Sequence, residues 1–281
     1  MRRSLVRAAV LLGLTAAGAA GSAQAGLTNV DIGINPTYAQ TGPGTVTPTG
    51  GFFAARAFMA SPNDFDGGSL TYPGAGSPAP LTPQPGSLLG YSVGSASLAS
   101  LNAAFPFGTY TFNVTNSMTS ASQTATINYS VAADSLSIPQ LDAASYNGLQ
   151  GLNPTAGFTF NFNAFLQNPN ANLAFVFLNV FNSGGTDVFS QGFLSPSTTS
   201  IFMPGGTLAA GQGYTFDLLF DERITGTDGT TPNTIFFDTH TGGAFTTSAV
   251  PEPEAWTMLV LGLGGLGAIL RRRTSRAGAR A

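Results

Sequence analysis

The one imidazole of the chain, His240, stands in the run Asp238-Thr239-His240-Thr241. A histidine near a carboxylate, in a chain rich in serine, is the raw material of an activated hydroxyl nucleophile. No G-x-S-x-G turn is present to hold such a serine on a strained elbow, so His240 reads as a strand-end histidine, exposed or hydrogen-bonded. Asp217, Asp221, Glu222 and Asp228 lie within twelve residues around Arg223. Paired carboxylates are the equipment of glycoside hydrolysis, yet Glu222 is the only glutamate before residue 250, and the group reads more simply as a solvated strand end and loop. Asp64-Phe65-Asp66-Gly67-Gly68 and the stretch from Asp221 to Asp228 place hard oxygen donors in turns. Calcium is the ion those oxygens suit, with Asp64, Asp66, Asp221 and Asp228 as its candidate ligands. Neither stretch has the alternating acids and distal glutamate of a calcium loop, and aspartates stabilise turns through their own backbone in any case.

Other chemistry is excluded by composition. The 281 residues include no cysteine and no lysine. That removes disulfides, thiolate metal sites, cysteine nucleophiles, Schiff bases and the P-loop lysine. No enzymatic activity and no resident cofactor are expected.

Charge is segregated along the chain. Eight of the ten arginines lie at the two ends, and residues 26–250 keep only Arg56 and Arg223 against eleven acids, a formal charge of −9. Phosphate binding needs clustered cations, so nucleic acid is excluded as a partner.

Short strands must position whatever polar groups this segment uses. Period-2 alternation marks Tyr110-x-Phe112-x-Val114, Ile127-x-Tyr129-x-Val131, Phe158-x-Phe160-x-Phe162 and Tyr214-x-Phe216-x-Leu218, with Phe52-x-Ala54-x-Arg56-x-Phe58 and Ile235–Phe237 nearer the ends. Leu173–Phe181 is apolar on both faces, as expected of a central strand or one facing a partner. With 36 glycines and 18 prolines in the turns, the pattern predicts an all-β fold, an antiparallel β-sandwich or jelly-roll-like domain over residues 26–249. Helix is confined to Leu98–Phe105, capped by Ser97 and stopped by Pro106, and to Asp142–Leu149. The proline- and glycine-rich run 73–86 reads as a long surface loop. Residues 26–72 have too few apolar residues for a core of their own, which favours one domain. A Gly-aromatic-Thr-Phe-Asn/Asp echo recurs at Gly108, Gly157 and Gly213, with unequal spacing.

Both ends read as addresses. Arg2, Arg3 and Arg7 precede an apolar run from Ala8 to Ala20, and Ala23-Gln24-Ala25 supplies the small-x-small site of a signal peptidase. Residues 1–25 are thus a signal peptide, with a mature start at Gly26. Near the other end, Ala255–Leu270 is an uncharged apolar run of sixteen residues, followed by Arg271, Arg272 and Arg273. At about 1.5 Å per residue it reaches roughly 24 Å, a short membrane helix with its arginines on the cytoplasmic side and Trp256 at the far interface. Residues 274–281 form a cytoplasmic tail. The literal G-x-G-x-x-G at Gly262–Gly267 lacks the following strand and acid of a dinucleotide site and belongs to this apolar run.

Pro251-Glu252-Pro253, Trp256, the apolar run and Arg271–Arg273 together resemble a PEP-CTERM sorting signal over residues 250–273. The resemblance implies an exported protein of a Gram-negative bacterium that makes extracellular polysaccharide. It implies recognition by exosortase and cleavage near Pro251-Glu252-Pro253, with transient anchoring in the inner membrane before delivery to the cell surface or matrix. The two prolines suit that role by keeping the chain extended beside the membrane. Two functions follow for the folded domain: a non-enzymatic surface or matrix protein, or a carbohydrate-binding or adhesive module, calcium-assisted or not, with extracellular polysaccharide as its partner. Trp256, the only tryptophan, belongs to the sorting segment, which leaves Tyr72, Tyr91 and Tyr146 as candidates for stacking on sugars.

Overall fold

The computed structural model of the chain describes residues 26–129 and 137–249; the predicted signal peptide, sorting motif, membrane helix and tail lie outside them. The described residues form an all-β fold with two helices of seven residues each. In chain order the elements are β1 (Leu27–Gly42), β2 (Thr45–Met59), β3 (Gly67–Thr71), β4 (Ala79–Gln84), β5 (Leu88–Ser95), α1 (Leu98–Ala104), β6 (Gly108–Thr115), β7 (Ser122–Tyr129), α2 (Ala143–Leu149), β8 (Phe158–Asn161), β9 (Leu173–Asn182), β10 (Asp187–Leu194), β11 (Ser200–Met203), β12 (Gly213–Thr227) and β13 (Pro232–Thr246). Eleven strands make one sheet in the order β10-β9-β12-β13-β1-β2-β5-β4-β3-β6-β7, and β8 pairs separately with β11.

All pairings between the named strands but one are antiparallel. β1 and β13, the first and last strands, run parallel, with Ile32 opposite Ile235 and Gly33 opposite Phe236. This departs from the purely antiparallel expectation for a topological reason. Antiparallel pairing already occupies one edge of each strand, with β2 beside β1 and β12 beside β13, and the two remaining edges meet pointing the same way.

Alternation along the strands sends one set of side chains to a face that carries two apolar cores side by side. In the first, Ile32, Ile34, Phe53, Ala55, Ile235 and Phe237 meet Leu70, Tyr110, Phe112 and Ile127 of β3, β6 and β7. The sheet therefore curls until its far end covers its middle. In the second, Val176, Leu178, Phe216, Leu218 and Phe220 are covered by Phe160 of β8, Ile201 and Met203 of β11 and Leu149 of α2. A fully buried phenylalanine or leucine contributes about 1.5–3 kcal/mol, so these interlocked rings dominate the stability of the fold.

Both helices begin where a side chain satisfies an orphan amide. The Ser97 hydroxyl accepts from Ser100 N at 3.0 Å, and the Asp142 carboxylate accepts from Ser145 N at 2.6 Å. Helix α1 then drops Leu101 and Phe105 into the first core, where Phe105 stacks on Phe53 at 3.9 Å between centroids.

The run 73–86 is not a loop throughout, because β4 lies inside it. β4 pairs with β3 through Ala79–Leu81 and with β5 through Thr82–Gln84. Pro80 and Pro83 cannot donate to a ladder, and a short strand passing from one neighbour to the other accommodates them. The Gly-aromatic-Thr-Phe echo falls at the starts of β6, β8 and β12, which occupy unrelated places in the sheets, so it records strand entry and no repeated unit.

Curling brings the edge of β7 against the β12–β13 hairpin, where side chains take over from the ladder. Asp228 accepts from Thr126 N at 2.9 Å, Asn233 donates to Thr126 O at 3.0 Å, and Gln123 Nε2 donates to Thr231 Oγ1 at 3.3 Å. A strand edge covered this way is closed to further pairing.

Candidate functional site

The opposite face of the sheet collects most of the polar residues singled out in the sequence. On β12, Asp217, Asp221 and Arg223 share this face with Asp238 and His240 of β13, Asp31 of β1 and Arg56 of β2, as the strand registers require. Asp221, Arg223 and His240 thus sit in the middle of 15-residue strands. The expectation of a solvated strand end for the acids around Arg223, and of a strand-end histidine, is corrected: β12 and β13 simply run further than their apolar alternation indicates.

Each cation here is held by a carboxylate and a ring. Arg56 Nε donates to Asp31 Oδ1 at 2.8 Å, and its guanidinium carbon lies 4.4 Å from the centroid of Phe236. Arg223 Nε donates to both Asp221 oxygens at 3.0 Å, its Nη2 donates to Oδ2 at 2.5 Å, and its guanidinium lies 5.9 Å from the Phe175 centroid. Such stacking is worth about 0.5–2 kcal/mol depending on solvation. Asp31 and Asp221 are buried, whereas the two arginine side chains remain 40% and 37% exposed, so the pairs bury the acids beneath half-open cations.

The remaining groups are His240, Asp217 and Asp238. His240 Nδ1 lies 3.0 Å from Asp217 Oδ2, so its carboxylate partner comes from the neighbouring strand and not from the adjacent Asp238. Burial works against the imidazolium, but the Asp217 hydrogen bond and the charges of Asp217, Asp238 and Asp221 together outweigh it and lift the His240 pKa. Asp238 is opposite Asp221 across the β12–β13 pair. Burial, reinforced by the Asp221 charge, pushes its carboxyl up to about 7, and its Oδ1 is buried without a hydrogen-bond partner. Two carboxylates directly across a ladder repel when both are ionised. Burial likewise raises Asp31, against the pull of Arg56.

Glu222 points to the other face, fully buried beside the second core. Its Oε1 accepts from Asn168 N at 2.6 Å, and desolvation raises its pKa. Glu222 and Asp221, neighbours in sequence, are therefore divided by the sheet and do not converge on a common ligand.

The candidate calcium ligands are dispersed and occupied. Asp64 accepts from Ser61 N at 2.9 Å, Asp66 binds the amide and hydroxyl of Ser117, Asp221 holds Arg223, and Asp228 accepts from Thr126 and Thr231 amides at 2.9 Å. Ser117 lowers the Asp66 pKa. Among the described residues no three of the side chains Asp, Glu, His and Cys are grouped as a metal would need. Of the tyrosines proposed to stack on sugars, Tyr72 is buried on Tyr110 with 5.6 Å between centroids, so it is withdrawn from that role. Tyr91 and Tyr146 are half-buried against the two cores.

The Asp31–Arg56 pair and Phe236 were not singled out in the sequence as parts of a site. The available signal was one acid inside the apolar run Val30-Asp31-Ile32 and one arginine at a strand position. Only the β1–β2 register makes them partners.

Ala23 and Ala25, Pro251, Glu252, Pro253, Trp256 and Arg271–Arg273 lie outside the described residues. No helix among the described residues is long and apolar enough to cross a membrane.

Residues 249–273 match the PEP-CTERM protein-sorting motif. The motif marks the chain as an exported protein with exosortase as its sorting partner. No curated protein matches the chain. Among solved structures, the FN1–FN3 domains of chicken CNTN1 resemble it at 8% identity and a TM-score of 0.24, over 74% of this chain and 66% of that one. The BSP domain of a biofilm associated protein does so at 13% identity and a TM-score of 0.21, over 79% of this chain and 30% of that one.

Proposed function

We propose that this is a non-enzymatic surface or matrix protein, a sandwich-like domain delivered outside the cell and released from its sorting signal by cleavage near Pro251-Glu252-Pro253. Signal peptidase removes residues 1–25 after Ala25, residues 255–270 hold the chain transiently in the inner membrane, and exosortase acts on the motif. Delivery ends at the cell surface or in the extracellular polysaccharide.

The observation that carries this reading is how the end of β13 is fastened. Thr247 donates its hydroxyl to Ala209 O at 2.7 Å, Ser248 N donates to Leu152 O at 2.9 Å, and Gly211 N donates to Ser248 O at 3.1 Å. Ser248, the last hydrogen-bonded residue among those described, is followed at once by the motif match at 249. A cut between residues 251 and 254 would spare every hydrogen bond that fastens the end of β13, so the domain would survive its own processing. The non-enzymatic reading draws on the polar face, where the two arginines, Arg56 and Arg223, are each spent on a carboxylate.

Intact-mass and terminal-peptide spectrometry of the protein recovered from its native cell surface and medium tests this. A chain beginning at Gly26 and ending between Pro251 and Glu254 is the expected result. A membrane-bound chain ending at Ala281 would overturn it.

A further inference from the structure

The sheet has a gap in its pairing that no described element fills. β5 is paired with β2 along its whole length, from Leu88 opposite Phe58 to Ser95 opposite Gly51. On its other side β4 accompanies it only from Leu88 to Gly90, because β4 then leaves for β3. Beyond Gly90 the outer edge of β5 has no strand beside it.

Register shows which backbone groups face that gap. Thr82 of β4 donates its hydroxyl to Gly90 O, whereas Ser87 O accepts from Met59 N of β2. Even-numbered residues of β5 therefore turn their amides and carbonyls away from β2 and odd-numbered ones toward it, as antiparallel ladders alternate. Ser92 and Gly94 consequently offer two N–H donors and two C=O acceptors with no backbone partner among the described residues. Ser92, Val93 and Gly94 are all exposed, Val93 to 36%.

The edge opens onto a cavity of about 550 Å³. The small residues Ala54, Gly90 and Ser92 line it together with Pro80, Pro85 and Leu88. The one charged residue touching it, Arg56, is tied to Asp31 and leans over Phe236, so the cavity offers apolar surface and no free charge. Gly94 adds no side chain that would hold another backbone away, which is a usual meaning of glycine in a strand. By contrast, the β7 edge is covered by side chains and β10, at the other end of the sheet, is broken by register shifts.

We infer that the outer edge of β5 from Tyr91 to Ser95 is a strand-addition site for an extended, uncharged peptide segment carrying a large apolar side chain. The peptide backbone takes the four free groups of Ser92 and Gly94, and the apolar side chain fills the cavity over Ala54 and Gly90. Strand addition divides its work in that way, with the main chain giving affinity and a pocket giving selectivity. This inference goes beyond the sorting function and does not depend on it.

Amide hydrogen exchange on the purified full-length protein tests it, with a blocked pentapeptide of threonine, valine, leucine, valine and threonine as the probe. Saturating peptide is expected to slow exchange at the Ser92 and Gly94 amides at least tenfold and to leave Val93, already bonded to β2, unchanged. The same peptide N-methylated at every amide should have no effect on the wild-type protein. Gly94→Pro should abolish the protection while keeping the fold, because the N–H it removes faces away from β2. Should that variant unfold, the N-methylated probe still decides the matter. Absence of protection, equal protection by the N-methylated peptide, or protection of the same amides by glucose or maltose in place of the peptide would overturn the inference.

Discussion

Gly33 and Phe236 are registered partners across the parallel β1–β13 pair, and the ring of Phe236 occupies the space a side chain at position 33 would need. A Cβ built there would lie 2.3 Å from Phe236 O and 2.7 Å from two carbons of its ring. Phe236 in turn carries the Arg56 guanidinium. The missing side chain of Gly33 is thus what allows the ring to lie flat and support the cation.

Gly33→Ala is expected to destabilise the domain by at least about 1–3 kcal/mol, the usual cost of overpacking, because backbone as well as ring must move. Urea denaturation measures this. A variant within ~0.5 kcal/mol of wild type would show that β1 and β13 separate easily at this point.

Removing Arg56 should cost more than the pair is worth. Arg56→Met leaves Asp31 buried and unpaired; because the arginine is 40% exposed, the loss should be about 1–3 kcal/mol. Arg56→Met combined with Asp31→Asn should recover most of it. A double-mutant cycle by chemical denaturation checks the prediction, which fails if the double variant is as unstable as the single one.

Stability should be greatest at mildly acidic pH. The folded pKa values of Asp31, Glu222, Asp238 and His240 are all raised. The folded state then binds more protons than the unfolded one, and stability falls as pH rises. The carboxyl contributions are complete below the unfolded aspartate and glutamate range near pH 4, and that of Asp238 is lost as pH rises through about 7. His240 adds stability that is complete below its unfolded value near 6.5 and lost above its raised folded value. Asp66 and Asp228 have lowered values, so their smaller contribution is present above the unfolded range and disappears toward lower pH. Asp238→Asn should flatten the fall between pH 5 and 8 and stabilise the protein at pH 8. Thermal unfolding across that range would contradict this if the variant tracked the wild type.

Loosening the β7 seam should expose an edge without unfolding the core. Asp228→Ala removes the acceptor of Thr126 N and should cost about 1–2 kcal/mol. Amide exchange at Thr126 should accelerate, while Phe112 and Val114 of β6 stay protected. Equal protection of Thr126 in both proteins would refute the latch.

Legibility in the sequence followed the range of the interaction. Strands with clean alternation, such as Tyr110–Val114 and Tyr214–Leu218, the Ser97 cap and the short helix near Asp142–Leu149 are local signals and appear where they were read. The sorting motif is likewise a contiguous string. The polar face was not legible, since Asp31 meets Arg56 through a hairpin register and His240 meets Asp217 across two long strands whose ends the apolar pattern did not mark. Asp221 and Glu222 show the same limit: adjacency in sequence gave one cluster, and the strand pleat sends them to opposite faces. The β4 segment was hidden because proline ordinarily marks a break, and only its position between two partial neighbours makes Pro80 and Pro83 acceptable.

The placement of β13 has a mechanical consequence. The chain leaves the domain from an interior strand, gripped along its length by β12 on one side and over much of it by β1 on the other. Tension applied through the C-terminus would load these ladders in shear, sharing the force among many hydrogen bonds, where a terminal edge strand would peel one bond at a time. A tether at this end therefore pulls on the middle of the sheet, and its load reaches the β7 seam through Asn233, at the opposite end of β13.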